Sequence, residues 1–316
     1  MATARQTIAL AGVGNLGRYI CEEFVASPDF DVVVLSRDAA GKPWMKNLDL
    51  TVSQTDYTAA SLTKILNDSK ASILVSVINL IDPSYVTVHA ELLSACRQSV
   101  ACKHLIPSEF AGDCEKYPLR PGYYVNTREP FRQMLREQRD VKWTLVNMGY
   151  IMDYLLPQSK THMLPLVPEF PIDAEKWHAT LRGTGDEVQS MTRARDTGRA
   201  VVELCKAKEW EPYTFISGEW TTFNQAIKEL ESYYGTAFSL VSTSYPLMHA
   251  ITQVLSKADE GFTFEIALAQ VEEMIVEESF TFPKEKTLAQ REKYLGGMKF
   301  MSFRDLLKYA ETVDKV

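Results

Sequence analysis

Paired cysteines, clustered histidines, an excess of basic residues and long apolar runs are all missing from this chain. The five cysteines, Cys21, Cys96, Cys102, Cys114 and Cys205, are odd in number, scattered, and never spaced C-x-x-C. Structural thiols in a reducing cytoplasm are therefore expected, not a disulfide framework. The five histidines show no ligand spacing, so no metal is expected. A formal net charge of −7 with no basic stripe argues against nucleic acid as a partner. No apolar run reaches membrane-spanning length, and the N-terminus lacks a basic-then-apolar signal pattern. The expected location is cytoplasmic, with no membrane partner. No repeat or low-complexity tract is present either. What remains is an ordinary globular composition, 46% hydrophobic and 24% charged over 316 residues, long enough for two lobes.

One stretch stands out near the start, "LAGVGNLGRYI", Leu10 to Ile20. A lone G-x-G-x-x-G is weak, so its flanks decide. Upstream, "TIALAG" is an apolar, β-branched run that predicts a buried strand. Downstream, Leu16, Tyr19, Ile20 and Phe24 recur at helical spacing. Gly12, Gly14 and Gly17 thus bridge a strand end and a helix start, the setting of a dinucleotide fingerprint. In that setting the first glycine permits the turn, the second admits a pyrophosphate, and the third lets helix and strand pack. The helix N-terminus offers free N–H groups and a positive dipole end to the anion. The competing reading is a strand–turn–helix with no ligand.

Strand and helix signals then alternate. "FDVVVLSR", "LDLTVSQTDY", "ASILVSVINL", "ACKHLIPSEF" and "VKWTLVNMGY" predict strands; "SLTKILNDSK", "PSYVTVHAELLSACRQS" and "NTREPFRQMLREQ" predict helices, with Pro130 in a first turn. This alternation through residue 150 predicts a doubly wound parallel sheet. Beyond it the pattern loosens. "MLPLVPEFPIDA" predicts a loop, "TRARDTGRAVVELCKA" a helix, and "YTFISGE" a strand. A helix capped by Thr222 or Asn224 and closed by Gly235 follows, then helices near Leu247–Ser256 and Phe264–Glu278. The expected division is a cofactor domain over 1–150 and a smaller, mainly substrate-binding lobe over 151–316, some of whose segments return to the first.

The residues after the second strand select the dinucleotide. An acidic side chain there favours NAD, whereas cations accommodate the 2′-phosphate of NADP. The sequence presents Ser36 and Arg37, then Lys42, while Asp38 comes late for a ribose contact. That set suits a phosphate, so NADPH is the expected cofactor; a solvated basic loop is the alternative.

Seven stretches in order, "GVGNLGRYI", "VVVLSRD", "HLIPSEFAGD", "WTLVNMGYIMDYL", "RGTGDE", "TRARDTGRAVVEL" and "FISGEWTTFNQ", make the chain resemble the NmrA-like and isoflavone-reductase-like family of atypical short-chain dehydrogenases/reductases. The resemblance implies a Rossmann-like doubly wound sheet with a smaller C-terminal α/β substrate lobe. It puts Gly12, Gly14, Asn15, Leu16 and Gly17 on the pyrophosphate, and Arg37 and Lys42 on the 2′-phosphate. Ser76 and Val77 would lie near a cofactor ribose. Pro107, Ser108, Glu109 and Phe110 would lie beside the nicotinamide, with Asn147 and Gly149.

One departure matters. Reductases of this family usually carry a lysine where "YYVNTREPF" has Arg128. Arginine keeps the charge and can hold ribose hydroxyls, but it is not deprotonated in proteins. A replacement relay is expected from Tyr124, four residues earlier and so on the same face of a helix, its pKa lowered by Arg128. Ser108 would orient the substrate, and Tyr123 is the reserve donor. Packing roles for Tyr124 and Arg128 are the alternative. His104 is expected to be a core histidine. His162, Met163, Trp177, Phe238, Tyr245, Met248 and His249 are candidate lining of an apolar cavity, or else core.

The functional expectation is an NADPH-dependent reductase of an aromatic, conjugated or polyketide-like small molecule in secondary metabolism, monomeric or homodimeric. The missing lysine keeps a second reading open, a non-catalytic NAD(P)-sensing regulator. A redox-neutral isomerase or cyclase is a third.

Overall fold

The computed structural model describes residues 5–164, 171–244, 253 and 263–316. Its first half runs β1 (Gln6–Ala11), α1 (Asn15–Ala26), β2 (Phe30–Ser36), β3 (Thr51–Gln54), α2 (Ala59–Asp68), β4 (Ile73–Ser76), α3 (Ser84–Gln98), β5 (His104–Ile106), α4 (Arg128–Glu137), β6 (Lys142–Trp143) and β7 (Leu145–Asn147). Six strands form one sheet in the order β3-β2-β1-β4-β5-β6, every pair parallel. This is a Rossmann-like sheet. Its order reverses between β1 and β4, and in open sheets of this kind ligands bind outside the carboxyl ends of the strands at such a switch point.

The layers follow from side-chain alternation along the strands. Ile8 and Leu10 of β1 face one core, shared with Tyr19, Ile20 and Phe24 of α1. Ala9 and Ala11 face the opposite core, with Leu62 and Leu66 of α2, Leu92 of α3 and Phe131 of α4. Small alanines on that face let the covering helices approach closely.

The second half contains β8 (Tyr150–Ile151), β9 (Ile172–Asp173), β10 (His178–Arg182), β11 (Gln189–Thr192), α5 (Ala194–Lys206), β12 (Tyr213–Phe215), β13 (Glu219–Thr221), α6 (Phe223–Tyr234), β14 (Ser239–Thr243), α7 (Phe264–Val276), α8 (Lys284–Tyr294) and α9 (Phe303–Thr312). A separate core joins Tyr150, Met152, Phe223, Ile227, Met274 and Phe303. Several elements go back to the first half, among them Tyr294 at the end of α8, which joins the core of β1 and α1. The residues Ala200, Val201 and Leu204 of α5 pack in the core that α1 lines, and β12 pairs parallel with β7.

Several sequence expectations are corrected. The single strand expected over "VKWTLVNMGY" is three short ones, because the chain changes neighbours: β6 pairs with β5, β7 with β12 and β8 with β11. The fourth strand stops at Ser76, where Val77 N–H closes onto Ala11 O at 2.7 Å. α8 and α9 were not expected. The sequence of α8, "KEKTLAQREKY", is almost wholly polar and buries Thr287, Gln290 and Tyr294 instead of an aliphatic stripe. α6 is as expected, with Thr222 accepting Gln225 N–H and Gly235 left-handed at φ 68°. Of the helix expected near Leu247–Ser256 only residue 253 is described, and it is helical; Tyr245, Met248 and His249 lie outside the described residues. The cysteines are all free and buried.

Candidate active site

The opening turn is built by its three glycines. A Cβ on Gly17 would meet Gly12 O at 1.9 Å, and one on Gly12 would meet Val77 C and Ile78 N at 2.6 Å. Both contacts bring α1 down against the ends of β1 and β4. A Cβ on Gly14 would meet nothing within 4 Å. Gly14 is also the N-cap of α1 and supplies no side-chain cap, unlike Thr58, Thr222, Thr263 and Ser302 on α2, α6, α7 and α9. First-turn N–H groups therefore face open space at the positive end of the helix dipole. Leu16 sends its side chain into the core, leaving only backbone to the crevice.

At the end of β2, Ser36 Oγ accepts Asp38 N–H at 3.1 Å, and the Asp38 carboxylate accepts Ala40 N–H at 2.9 Å. The acid is thus spent on its own turn. Arg37 and Lys42 are both exposed. The residues fit a 2′-phosphate better than a free ribose diol.

The third part joins β4, β5 and α3 through groups that sequence reasoning missed. His89 and Tyr85 of α3 are fully buried. His89 Nε2 accepts Ser108 N–H at 3.4 Å and stands 3.1 Å from Ser76 Oγ; its Nδ1 lies 3.0 Å from Tyr85 O. An N–H can only donate, so Nε2 is bare and Nδ1 carries the proton. Burial and then the Arg128 charge hold this histidine neutral, its pKa pushed down to about 3. The Tyr85 hydroxyl donates to Ser108 O at 3.1 Å. Its ring is sandwiched, with His89 stacked at 3.8 Å on one side and the Arg128 guanidinium 3.6 Å from its centroid. The i, i+4, i+7, i+11 spacing of Tyr85, His89, Leu92 and Cys96 was the available signal.

Arg128 is buried at 4% exposure. Its Nη1 donates to Leu80 O at 2.6 Å in the loop after β4, while Nε has no partner among the described residues. The Tyr124 ring centroid lies 5.1 Å from its guanidinium. The two do not share a helix. Tyr124 sits in a 3-10 turn, Gly122–Val125, and α4 begins only at Arg128. The expected lowering of the Tyr124 pKa is also corrected. Burial is the largest influence and raises it, outweighing Arg128. Tyr124 is therefore a phenol that keeps its proton.

Glu109 is held by Arg132 through two buried bonds of 3.0 and 2.6 Å. The next residue, Phe110, has a positive φ of 26°, the kind of strain kept where a loop is over-determined. Pro107 and Ser108 stand at the carboxyl end of β5 beside this pair.

The remaining candidates diverge. Asn147 spends its amide on the backbone, Nδ2 donating to Leu145 O and Thr214 O and Oδ1 accepting Cys114 N–H. Gly149 lets β8 approach β11, since a Cβ there would meet Ser190 O at 2.0 Å. His104 lies edge-on to Trp210. His162 N–H donates to the Tyr19 hydroxyl and Met163 is buried in the α1 core. Trp177 packs on Phe238 at 5.0 Å beside the second core. Glu187 fills the glycine loop of "RGTGDE" itself, accepting Thr184 and Gly185 N–H, so that nest is occupied.

No family model matches the chain. It is 36% identical to the oxidoreductase swnR of Metarhizium robertsii over 94% of its length and 95% of that protein's. Among solved structures it is similar to that of AtPrR2 with NADP+ and (+)pinoresinol. The TM-score is 0.76 at 15% identity, covering 98% of this chain and 99% of that one. An isoflavone reductase superposes with a TM-score of 0.73 at 15% identity, over 97% of this chain and 99% of its own.

Proposed function

The chain belongs to the NmrA-like, isoflavone-reductase-like family, and on that premise we propose that it is an NADPH-dependent reductase of an aromatic or conjugated small molecule. The observation that carries this reading is the phosphate-ready crevice: an uncapped α1 N-terminus with Gly14 open in front of it, and Arg37 beside an acid that is turned away. The AtPrR2 structure, with its (+)pinoresinol and NADP+, supports the substrate and cofactor class. The swnR relatives support an oxidoreductase.

When bound, the cofactor supplies a hydride. The chain's own residues divide the remaining work. Gly12, Gly14, Asn15, Leu16 and Gly17 hold the pyrophosphate through backbone, and Arg37 and Lys42 grip the 2′-phosphate. Backbone at Ser76, Val77 and Pro107 would border the cofactor, while Asn147 and Gly149 would shape the strand ends beside it. Arg128, a permanent cation, would hold ribose hydroxyls or a developing negative charge on the substrate without moving a proton. Tyr124, protonated at rest, would give its proton only as negative charge develops on the substrate beside it, and Ser108 would orient the substrate.

The test is turnover. Purified protein mixed with NADPH and a panel of quinones, enones and imines should consume the reduced cofactor with at least one. One observation favours a second reading, sensing without turnover: Arg128 replaces a lysine and Tyr124 is buried with a raised pKa. Tight NADPH binding, no oxidation by any candidate and a defined protein partner would establish that reading instead.

A further inference from the structure

Tyr57 lies in the loop between β3 and α2, and its backbone is left-handed, φ 63°. For a bulky L-residue this conformation costs about 1 kcal/mol or more and persists only where its surroundings enforce it. Here they do. The phenol donates to Leu35 O at 2.9 Å, near the end of β2. Tyr57 N–H donates to Thr55 Oγ1 at 3.0 Å, and Thr55 N–H to Ser36 O at 2.8 Å. Gln54 Nε2 also reaches Arg37 O at 3.2 Å. The loops after β2 and β3 are thereby joined around the residue that follows Ser36.

The ring so placed lies under Arg37, whose guanidinium carbon is 5.6 Å from the ring centroid. Arg37 forms no ion pair among the described residues. The guanidinium lies over an aromatic ring, and no ion pair among the described residues competes for its N–H groups.

We propose that Tyr57 is a specificity-determining residue for the 2′-phosphate: a positioning residue that acts through Arg37 by holding its guanidinium over the ring. An unsupported exposed arginine would lose its rotamer freedom on binding the phosphate. A ring beneath it removes part of that loss beforehand and adds cation–π attraction. The strained backbone is consistent with this role, since glycine or asparagine would relax the loop but leave no ring. The inference rests on the NADPH reading above, and the experiment separates the two.

Dissociation constants for NADPH and NADH are measured by fluorescence titration, with 2′-AMP as a competing probe. The proteins are wild type, Arg37→Ala, Tyr57→Phe, Tyr57→Asn and Tyr57→Leu. Asparagine tolerates the left-handed backbone and leucine keeps apolar volume, so whichever melts cooperatively is read. Loss of the ring should weaken NADPH and 2′-AMP about 5–10-fold and leave NADH within about twofold; Tyr57→Phe should restore the wild-type ratio. A general structural defect would weaken both dinucleotides together and would overturn the proposal. So would an unchanged ratio in Tyr57→Asn or Tyr57→Leu when Arg37→Ala abolishes it, leaving the cofactor reading intact. Equal binding of NADPH and NADH by wild type, indifferent to Arg37→Ala, would instead overturn the cofactor reading itself.

Discussion

Tyr124, Arg128 and Ser108 are drawn together by residues that carry no reaction themselves. Tyr85 touches Ser108 through its hydroxyl and Arg128 through its ring. His89 ties the backbone of Ser108 to the side chain of Ser76. On the proposed mechanism, Tyr124→Phe keeps the ring packed against Arg128 and removes the proton. Its kcat should fall about 100-fold or more, with NADPH affinity within twofold, as steady-state rates and titration would show. The buried Glu109–Arg132 pair yields a prediction about stability. Arg132→Met strands a carboxylate that is 7% exposed and should cost about 3–5 kcal/mol in urea unfolding. Adding Glu109→Leu should recover most of that loss, because the desolvated charge is then gone. The glycine spacing and the Ser36–Arg37 pair were legible in the chain, being local features of one turn each. Tyr57 and Tyr85 were not, because each acts by touching a residue on another element.

Elements add a second contrast, within the opening turn. Gly14→Ala introduces a methyl into open space, but at φ −81°, ψ −141°, outside the regions that a residue with a Cβ prefers. The variant should lose about 1–3 kcal/mol to that backbone strain without any steric clash, while NADPH affinity drops about tenfold or more on the proposed binding mode, since the methyl occupies the anion's approach. Gly17→Ala drives a methyl into Gly12 O, and overpacking of this kind costs about 1–3 kcal/mol or more. That variant should be destabilised in thermal melts as well as impaired in binding. The strands of the six-stranded sheet and α1 to α6 were readable because apolar periodicity marks them. α8 was not, since its buried face is polar and is satisfied by partners, Gln290 accepting Phe215 N–H and donating to Tyr213 O. The 3-10 turn at Tyr124 was read as helix because "YYVNTREPF" has no local signal that separates it from α4.

At the scale of the whole molecule, the chain crosses its own midpoint. α5 covers α1, Arg195 bridges Glu22 and Glu23 at 2.9 and 2.8 Å, and the Tyr19 hydroxyl meets Thr161 Oγ1 at 3.1 Å. A fragment ending at residue 150 leaves that face of α1 bare, so it should lack a cooperative melt by circular dichroism. The start of α5 also carries a pH signature. Asp153 is fully buried and accepts Ala194 N–H at 2.7 Å. Burial pushes its pKa up to about 6 from an ordinary 3.8, against the lowering effects of that N–H and Arg193, with Asp196 adding repulsion. A raised carboxyl pKa favours the fold only while the group is protonated. Its contribution is complete below pH 4 and lost as pH rises through 6, roughly 3 kcal/mol in all. Asp153→Asn keeps the accepting oxygen and cannot ionise. Urea unfolding from pH 4 to 7.5 should therefore show the variant gaining on wild type by about that amount.

The linear chain determined what one or two turns of backbone can specify. Apolar alternation made the strands, 3.6-residue spacing made most of the helices, and three glycines and two cations made the turns that the proposed function assigns to phosphates. Tertiary structure alone decided which groups are dry and which are touching. Burial reversed the direction expected for the Tyr124 pKa, placed Tyr85 between His89 and Arg128, and laid Tyr57 beneath Arg37. Local sequence carries periodicity and charge, whereas desolvation and stacking depend on elements that meet only after the chain has folded.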